Sequence, residues 1–344
     1  MNIRIHFQKF LTLYFGILMF MFGYFVCHEG KIKIGNKWTQ ESKKLQERKK
    51  PVNNLTYPAF KHPLAPPYPY PYQFLINQPD KCKNQKPFLV LMVLVNPQDM
   101  KSRHTIRETW GNESIYDVEV VRIFLVGLSQ TVSGRVQDML EEESRIFGDI
   151  VQQDFMDTYY NLTLKTLMGM EWVIKFCPSA SYVIKIDSDM FLNVDYLIHN
   201  FLYPDLPVRT NFFTGDIFKN AVPFRIKASK WYVPKEVYPN DTYPTYCKGS
   251  GYVFSADLAK KIYDVAQEIR VIPMEDAFVG ICLYELHIPP SEPPRGLFNS
   301  YRLDYDYCKF RKLITIHNYG GEVLRNTWAD FLAKKSQKCE ESGN

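Results

Sequence analysis

The chain reads as an α/β protein built on a Rossmann-like, mostly parallel sheet with helices on both faces. Three observations predict this. Phe88 to Val95 is an unbroken apolar run, the pattern of a strand buried on both faces. Runs of that kind alternate along the chain with segments of helical periodicity. One of them, Tyr182-Val183-Ile184-Lys185-Ile186, stops at Asp187-Ser188-Asp189. Ligand sites of open α/β sheets sit just beyond such strand ends.

The elements follow in order. A helical stretch bearing Arg103, Arg107 and Trp110 comes after the first strand and stops at Gly111. Val118 to Val126 is the next strand, closed by Gly127. Ser133 to Phe147 has helical character, with Gly148 in the stop position. Ile150-Val151 is a short strand, and Leu162 to Cys177 is a helix ended by Pro178. Beyond Asp189 the pattern loosens. Phe212 to Gly215 and Trp231 to Val233 read as short strands. Gly249-Ser250-Gly251 reads as a turn, either a plain tight one or a place where backbone approaches a ligand closely. Ala256 to Ile269 and Glu275 to Leu283 are helices, and Leu313 to Ile316 is a strand ending at His317.

With 344 residues, 46% of them apolar and 23% charged, the chain can bury a sizeable core in one large domain. The net charge of +5 is modest, and its densest basic run, Lys43 to Lys50, reads as a solvated linker, so no nucleic-acid partner is expected. Phe10 to Val26 carries no charge, suits a membrane span, and is followed by no small-x-small cleavage site. Residues 10–27 therefore read as a signal anchor after a cytosolic tail, 1–9. Lysines on both sides leave orientation open by charge alone. Sequons at Asn54, Asn112, Asn161 and Asn240 favour a lumenal body. Of 7 cysteines, six lie beyond Cys27 and permit complete pairing in an oxidising lumen. Residues 28–80, rich in proline and tyrosine from Pro63 to Tyr72, read as a semi-rigid stem, leaving 81–344 as the folded lumenal domain.

The chemistry centres on Asp187 and Asp189. A carboxylate pair at a strand end suits a hard divalent cation whose shell substrate phosphates complete. Each other candidate has a structural reading beside the functional one. Glu275 and Asp276 open a helix, where acids also serve as dipole partners. The guanidinium forks of Arg103 and Arg107 suit uracil or phosphate, or acids in the core. Trp231 and Tyr232 suit a sugar face, or packing. His317 ends a strand, where a lone histidine is usually structural.

Several blocks together carry a resemblance. Arg103-His104-Thr105-Ile106-Arg107-Glu108-Thr109-Trp110-Gly111, Phe124-Leu125-Val126-Gly127 and Tyr159-Tyr160-Asn161-Leu162-Thr163-Leu164-Lys165-Thr166 resemble the β-1,3-glycosyltransferases of family 31. So do Lys185-Ile186-Asp187-Ser188-Asp189-Met190-Phe191, Gly249-Ser250-Gly251-Tyr252-Val253 and Glu275-Asp276-Ala277-Phe278-Val279-Gly280. The likeness runs in order from about Phe88 to His317 and is strongest to the β-1,3-galactosyltransferase branch. Asp187-Ser188-Asp189 departs from the three consecutive acids of many relatives, and Ala277 stands where Val is more usual.

The resemblance implies a GT-A fold and a type II enzyme of the Golgi membrane. It would transfer galactose from UDP-galactose, with inversion and Mn²⁺, to the 3-hydroxyl of a β-linked N-acetylhexosamine. Asp187, Asp189 and His317 would then serve the metal, with Asp276 as base and Glu275 beside it on the acceptor. Arg103, Arg107, Lys165, Asp187, Gly249 and Gly251 would line the nucleotide-sugar, and Trp231 and Tyr232 the acceptor. A β-1,3-N-acetylglucosaminyltransferase and an inactive lectin-like relative are the alternatives.

Overall fold

Period-two alternation in the central strands divides the interior into two cores. In β2 (Leu89–Leu94) every residue is buried; Val90, Met92 and Leu94 enter one core, and Leu89, Leu91 and Val93 enter the other. This computed structural model describes residues 71–130 and 134–339. All described residues belong to one compact unit, Phe60–Asn344. The tail, the anchor, Cys27, Lys43 to Lys50, Asn54, Ser133 and the stem as far as residue 70 lie outside the described residues. No helix among the described residues is long and apolar enough to cross a membrane.

The main sheet runs β1 (Phe74–Ile76), β4 (Ile150–Met156), β3 (Val120–Leu128), β2, β5 (Tyr182–Asp187), β8 (Tyr246–Ser255), β7 (Phe213–Phe218) in spatial order. The centre, β4-β3-β2-β5, is parallel as expected. Both flanks are antiparallel, so the sheet is mixed and not mostly parallel. The physical reason lies in the connections. Helices α1 (Met100–Glu108), α2 (Gly134–Phe147) and α3 (Leu162–Phe176) return the chain for parallel pairing, whereas β7 and β8 are joined by an irregular excursion from residue 219 to 245. β1 places the end of the expected stem inside the folded body, with Phe74 paired to Gln153.

α3 is buried along most of its length, and Gly169 lets it lie directly on β2 and β3, since a methyl there would overlap Met92 and Leu125. A second sheet, β6 (Met190–Leu192), β10 (Thr315–His317) and β9 (Phe298–Asn299), leaves the first at the Asp187-Ser188-Asp189 turn. Its register places His317 opposite Met190. Phe191 fixes that register by packing edge-on to Phe310 at 5.2 Å, with Trp328 of the last helix at 5.7 Å. Such aromatic pairs add about 0.5–1.5 kcal/mol each beyond their burial. The remaining helices are α4 (Val194–Leu197), α5 (Asp257–Ala266), α6 (Glu275–Glu285), α7 (Tyr307–Phe310) and α8 (Gly321–Ala333).

Cys82–Cys177 and Cys308–Cys339 are disulfides, while Cys247 and Cys282 are free and buried. Complete pairing is thus not realised among the six cysteines. Trp231 to Val233 is no strand; only an isolated bridge joins Phe224 to Tyr232. Gly249 and Gly251 sit inside the ten-residue β8 and not in a turn.

Candidate active site

Residues two apart on a strand share a face. Lys185 and Asp187 of β5 therefore project together, and the antiparallel partner of Lys185 is Tyr252. α6 covers that side and brings Glu275 and Asp276 to it. Lys185 Nζ lies 2.7 Å from Asp187 Oδ1 and 3.6 Å from Glu275 Oε2, and it donates to the Gly249 carbonyl. Glu275 Oε1 accepts from Thr166 Oγ1 at 3.0 Å and from Tyr252 Oη at 2.6 Å. Asp276 Oδ2 accepts from the Gly249 N–H at 3.1 Å.

The turn sends Asp189 the other way. Its backbone carbonyl accepts from Tyr319 N at 2.7 Å, and its Oδ2 lies 3.2 Å from His317 Nε2. Asp189 is half exposed, at 51% of its side chain, and so has free oxygen for a ligand. The expected trio of Asp187, Asp189 and His317 does not gather into one cage. No group of three or more His, Cys, Asp or Glu side chains among the described residues could hold a metal alone. Asp187 pairs with Lys185 through Oδ1 and is 36% exposed, while Asp189 and His317 form a separate pair.

Burial pushes the Asp187 carboxyl above the usual range against the pull of Lys185. Burial likewise raises Glu275 and Asp276, in the latter despite N–H bonds from Ala277 and Gly249. The His317 hydrogen bond holds Asp189 below the usual range, and the same bond raises His317. Burial alone would depress Lys185, but Asp187 and Glu275 outweigh it and its pKa is raised. Three acids, Asp187, Glu275 and Asp276, are thus raised, while Asp189 beyond the turn is lowered.

Several sequence-derived assignments are corrected. Arg103 and Arg107 do not reach the cleft: Arg103 grips Glu143 at 2.8 and 2.6 Å and donates to the Asn96 and Pro97 carbonyls. Arg107 grips Asp149 twice at 2.8 Å and Glu143 at 2.7 Å. Every fork is filled by the scaffold. Lys165 is buried, 2.7 Å from Asp157 Oδ2 and 2.9 Å from the Val95 carbonyl, so it presents no free cation. Glu275 faces inward at 5% exposure and is not placed to touch an acceptor. Gly249 does need to be small, but toward protein: a methyl there would stand 3.1 Å from Glu275 Oε2. At Gly251 a methyl would meet only ordinary contacts.

On the open side stands an aromatic rim. Trp231 is 39% exposed, and Tyr159 nearby is 41% exposed, with burial raising its pKa. Lys230 Nζ sits over both rings, 5.4 Å from that of Tyr159 and 4.8 Å from that of Trp231. Tyr232 turns half inward. Of the sequons, Asn240 is exposed, Asn112 caps a short 3₁₀ turn through Ser114, and Asn161 donates to the Met156 carbonyl at 2.8 Å. Tyr159, Tyr252, Thr166, Lys230 and Lys185 escaped the sequence reading as site residues. Only Lys185 carried a signal, a charge inside an otherwise buried strand.

The molecule is thus an α/β protein with an acidic site at the carboxyl ends of its central strands. Residues 101–294 match the galactosyltransferase family, and the chain belongs to that family. It is 46% identical over 275 residues to beta-1,3-galactosyltransferase 2 of Mus musculus, covering 79% of this chain and 65% of that protein. To beta-1,3-galactosyltransferase 1 of Mus musculus it is 42% identical over 272 residues, covering 79% of this chain and 82% of that one. Among solved structures, the apo form of the bifunctional enzyme WbbM aligns over 73% of this chain and 50% of that one. Its TM-score is 0.39 at 12% identity.

Proposed function

We propose that the protein transfers galactose from UDP-galactose to the 3-hydroxyl of a terminal β-linked N-acetylglucosamine or N-acetylgalactosamine on glycolipid or glycoprotein glycans, inverting the anomeric centre. One observation carries it. The half-exposed Asp189 beside His317 follows two residues after Asp187, and Asp187 is joined through Lys185 and the Gly249 peptide to Asp276, whose pKa burial raises. The names of the relatives supply the linkage and the sugar.

The residues divide the labour. Asp276 accepts the proton of the acceptor hydroxyl as its oxygen bonds to the anomeric carbon. The bond from that carbon to UDP breaks on the opposite face, its electron pair leaving on the phosphate. A carboxylate with a raised pKa suits such a base. Trp231 and Tyr159 supply an apolar face and a hydroxyl for the acceptor sugar. Asp189 and His317, one hard oxygen and one imidazole open on the outer side, fit Mn²⁺ that takes its other ligands from phosphates and water. Bound there, it would neutralise charge on the departing diphosphate. Residues 10–27 would anchor the enzyme in the Golgi membrane with this domain in the lumen.

The test is transfer by the full chain, made in a secretory host, to a β-N-acetylglucosamine acceptor. A β1,3-galactose product from UDP-galactose, lost with EDTA and restored by Mn²⁺, is expected. A product formed from UDP-N-acetylglucosamine instead would move the protein to the neighbouring activity. UDP binding without transfer to any acceptor would overturn the enzymatic reading.

A further inference from the structure

We propose that Lys185 is the positioning residue of this site, holding the donor-side carboxylate Asp187 and the acceptor-side base Asp276 in one rigid frame. The proposal rests on the transferase reading above and assigns a role to a residue that touches no substrate.

An ammonium has three N–H donors. Here they face three acceptors from three elements: Asp187 of β5, the Gly249 carbonyl of β8 and Glu275 of α6. Lys185 is 1% exposed, so no water competes for those donors. The same Gly249 peptide that accepts from Lys185 donates through its N–H to Asp276 at 3.1 Å. A continuous chain therefore runs from Asp187 through Lys185 and one peptide to the base. Glu275 cannot drift from this frame, because Thr166 and Tyr252 hold its other oxygen at 3.0 and 2.6 Å. Glu275 is thus a buttress, and Lys185 is the point where strand, strand and helix meet.

A buried ion pair of this kind adds little net stability over apolar packing, and its best-attested use is to fix one arrangement among several. Here the arrangement fixed is the placement of the base Asp276 relative to the end of β5, two residues before Asp189. A misplacement of about 1 Å at such a centre costs roughly 100-fold in rate.

Lys185→Met alone leaves the buried Glu275 and the half-buried Asp187 without their cation and risks unfolding. The informative variant is the double substitution Lys185→Met with Glu275→Gln, which removes one charge of each sign while the Gln amide can still accept from Thr166 and Tyr252. Its thermal midpoint, its UDP affinity by calorimetry and its kcat and acceptor KM are measured beside the wild type. The expected result is a folded protein whose kcat is down about 100-fold with acceptor KM little changed. A folded double variant with kcat within about threefold of wild type would mean that Lys185 merely neutralises Glu275, and would overturn the proposal.

Should the double variant not fold, Gly249→Ala decides. Its methyl stands 3.1 Å from Glu275 Oε2, tighter than most contacts, and 3.5 Å from the Asp276 side chain, and it leaves the lysine itself in place. Reduced kcat at unchanged UDP affinity supports the frame; unchanged kcat refutes it. A wild-type protein that transfers no hexose sinks the transferase reading and this role with it. That result is distinct from wild-type transfer with unimpaired variants, which sinks only the role of Lys185.

Discussion

Two charged clusters lie on this fold, and they behave in opposite ways. Arg103, Arg107 and Arg122 meet Glu143 and Asp149 at the junction of α1, β3 and α2, with both carboxylates essentially inaccessible. There the guanidinium forks and the carboxylates pair with one another, and carbonyls of Asn96, Pro97 and Gly111 take further N–H groups, Arg122 Nε alone staying buried without a partner among them. At the ends of β5 and α6 the acids outnumber their partners. Asp189 shares a single histidine and faces solvent, and Asp276 rests on backbone N–H groups with no cation of its own. Charge that closes on itself is scaffold; charge left partly unpaired in a cleft is where a ligand's charge can be accommodated.

Four measurements would break or sharpen that contrast. The largest effect is expected from Asp276→Asn, which should lower kcat by about 100- to 10,000-fold while UDP binding and the thermal midpoint stay at wild-type values. Lost UDP binding would recast Asp276 as a structural cap. Glu143→Ala should do the reverse. It leaves the buried Arg103 without a carboxylate and takes one of Arg107's two, and should cost about 3–5 kcal/mol in denaturant unfolding, with kcat of the folded fraction unchanged. A change in kcat larger than in stability would deny the division between the clusters.

The pH profile comes next. Burial raises Asp276 above its ordinary 3.8, and only its ionised form can take a proton, so kcat should fall as pH drops through an inflection above that value. An acid limb at or below 3.8 would remove Asp276 as the base. The smallest effect belongs to Trp231→Ala on the exposed rim. Acceptor KM should rise by about two- to tenfold, the worth of one aromatic stack, with stability within about 0.5 kcal/mol of wild type. An unchanged acceptor KM would place the sugar elsewhere.

The strands and helices of the central sheet were legible because burial on both faces leaves an apolar run that needs no partner to be recognised. Asp187, Asp189, Asp276 and His317 were legible for a related reason: each is a polar residue just where such a run ends or a helix begins. β1, β6 and β9 were not legible. They have only two or three residues each, and pairing, not periodicity, makes them strands. Gly249-Ser250-Gly251 was misread as a turn because β8 tolerates two glycines where protein, not solvent, closes around them.

Sequence alone determined the family, the central parallel strands and the acids at their ends, since local pattern and ordered motifs carry that information. Tertiary structure alone decided which charges were spent. Arg103 and Arg107 carry the same forks whether they face a nucleotide or Glu143 and Asp149, residues 36 to 42 positions away along the chain. Asp187 and Asp189 are near neighbours in sequence, but the turn between two sheets sends one to Lys185 and the other to His317. Charge is a property of the residue; whether it is satisfied depends on partners that only the folded chain brings within reach.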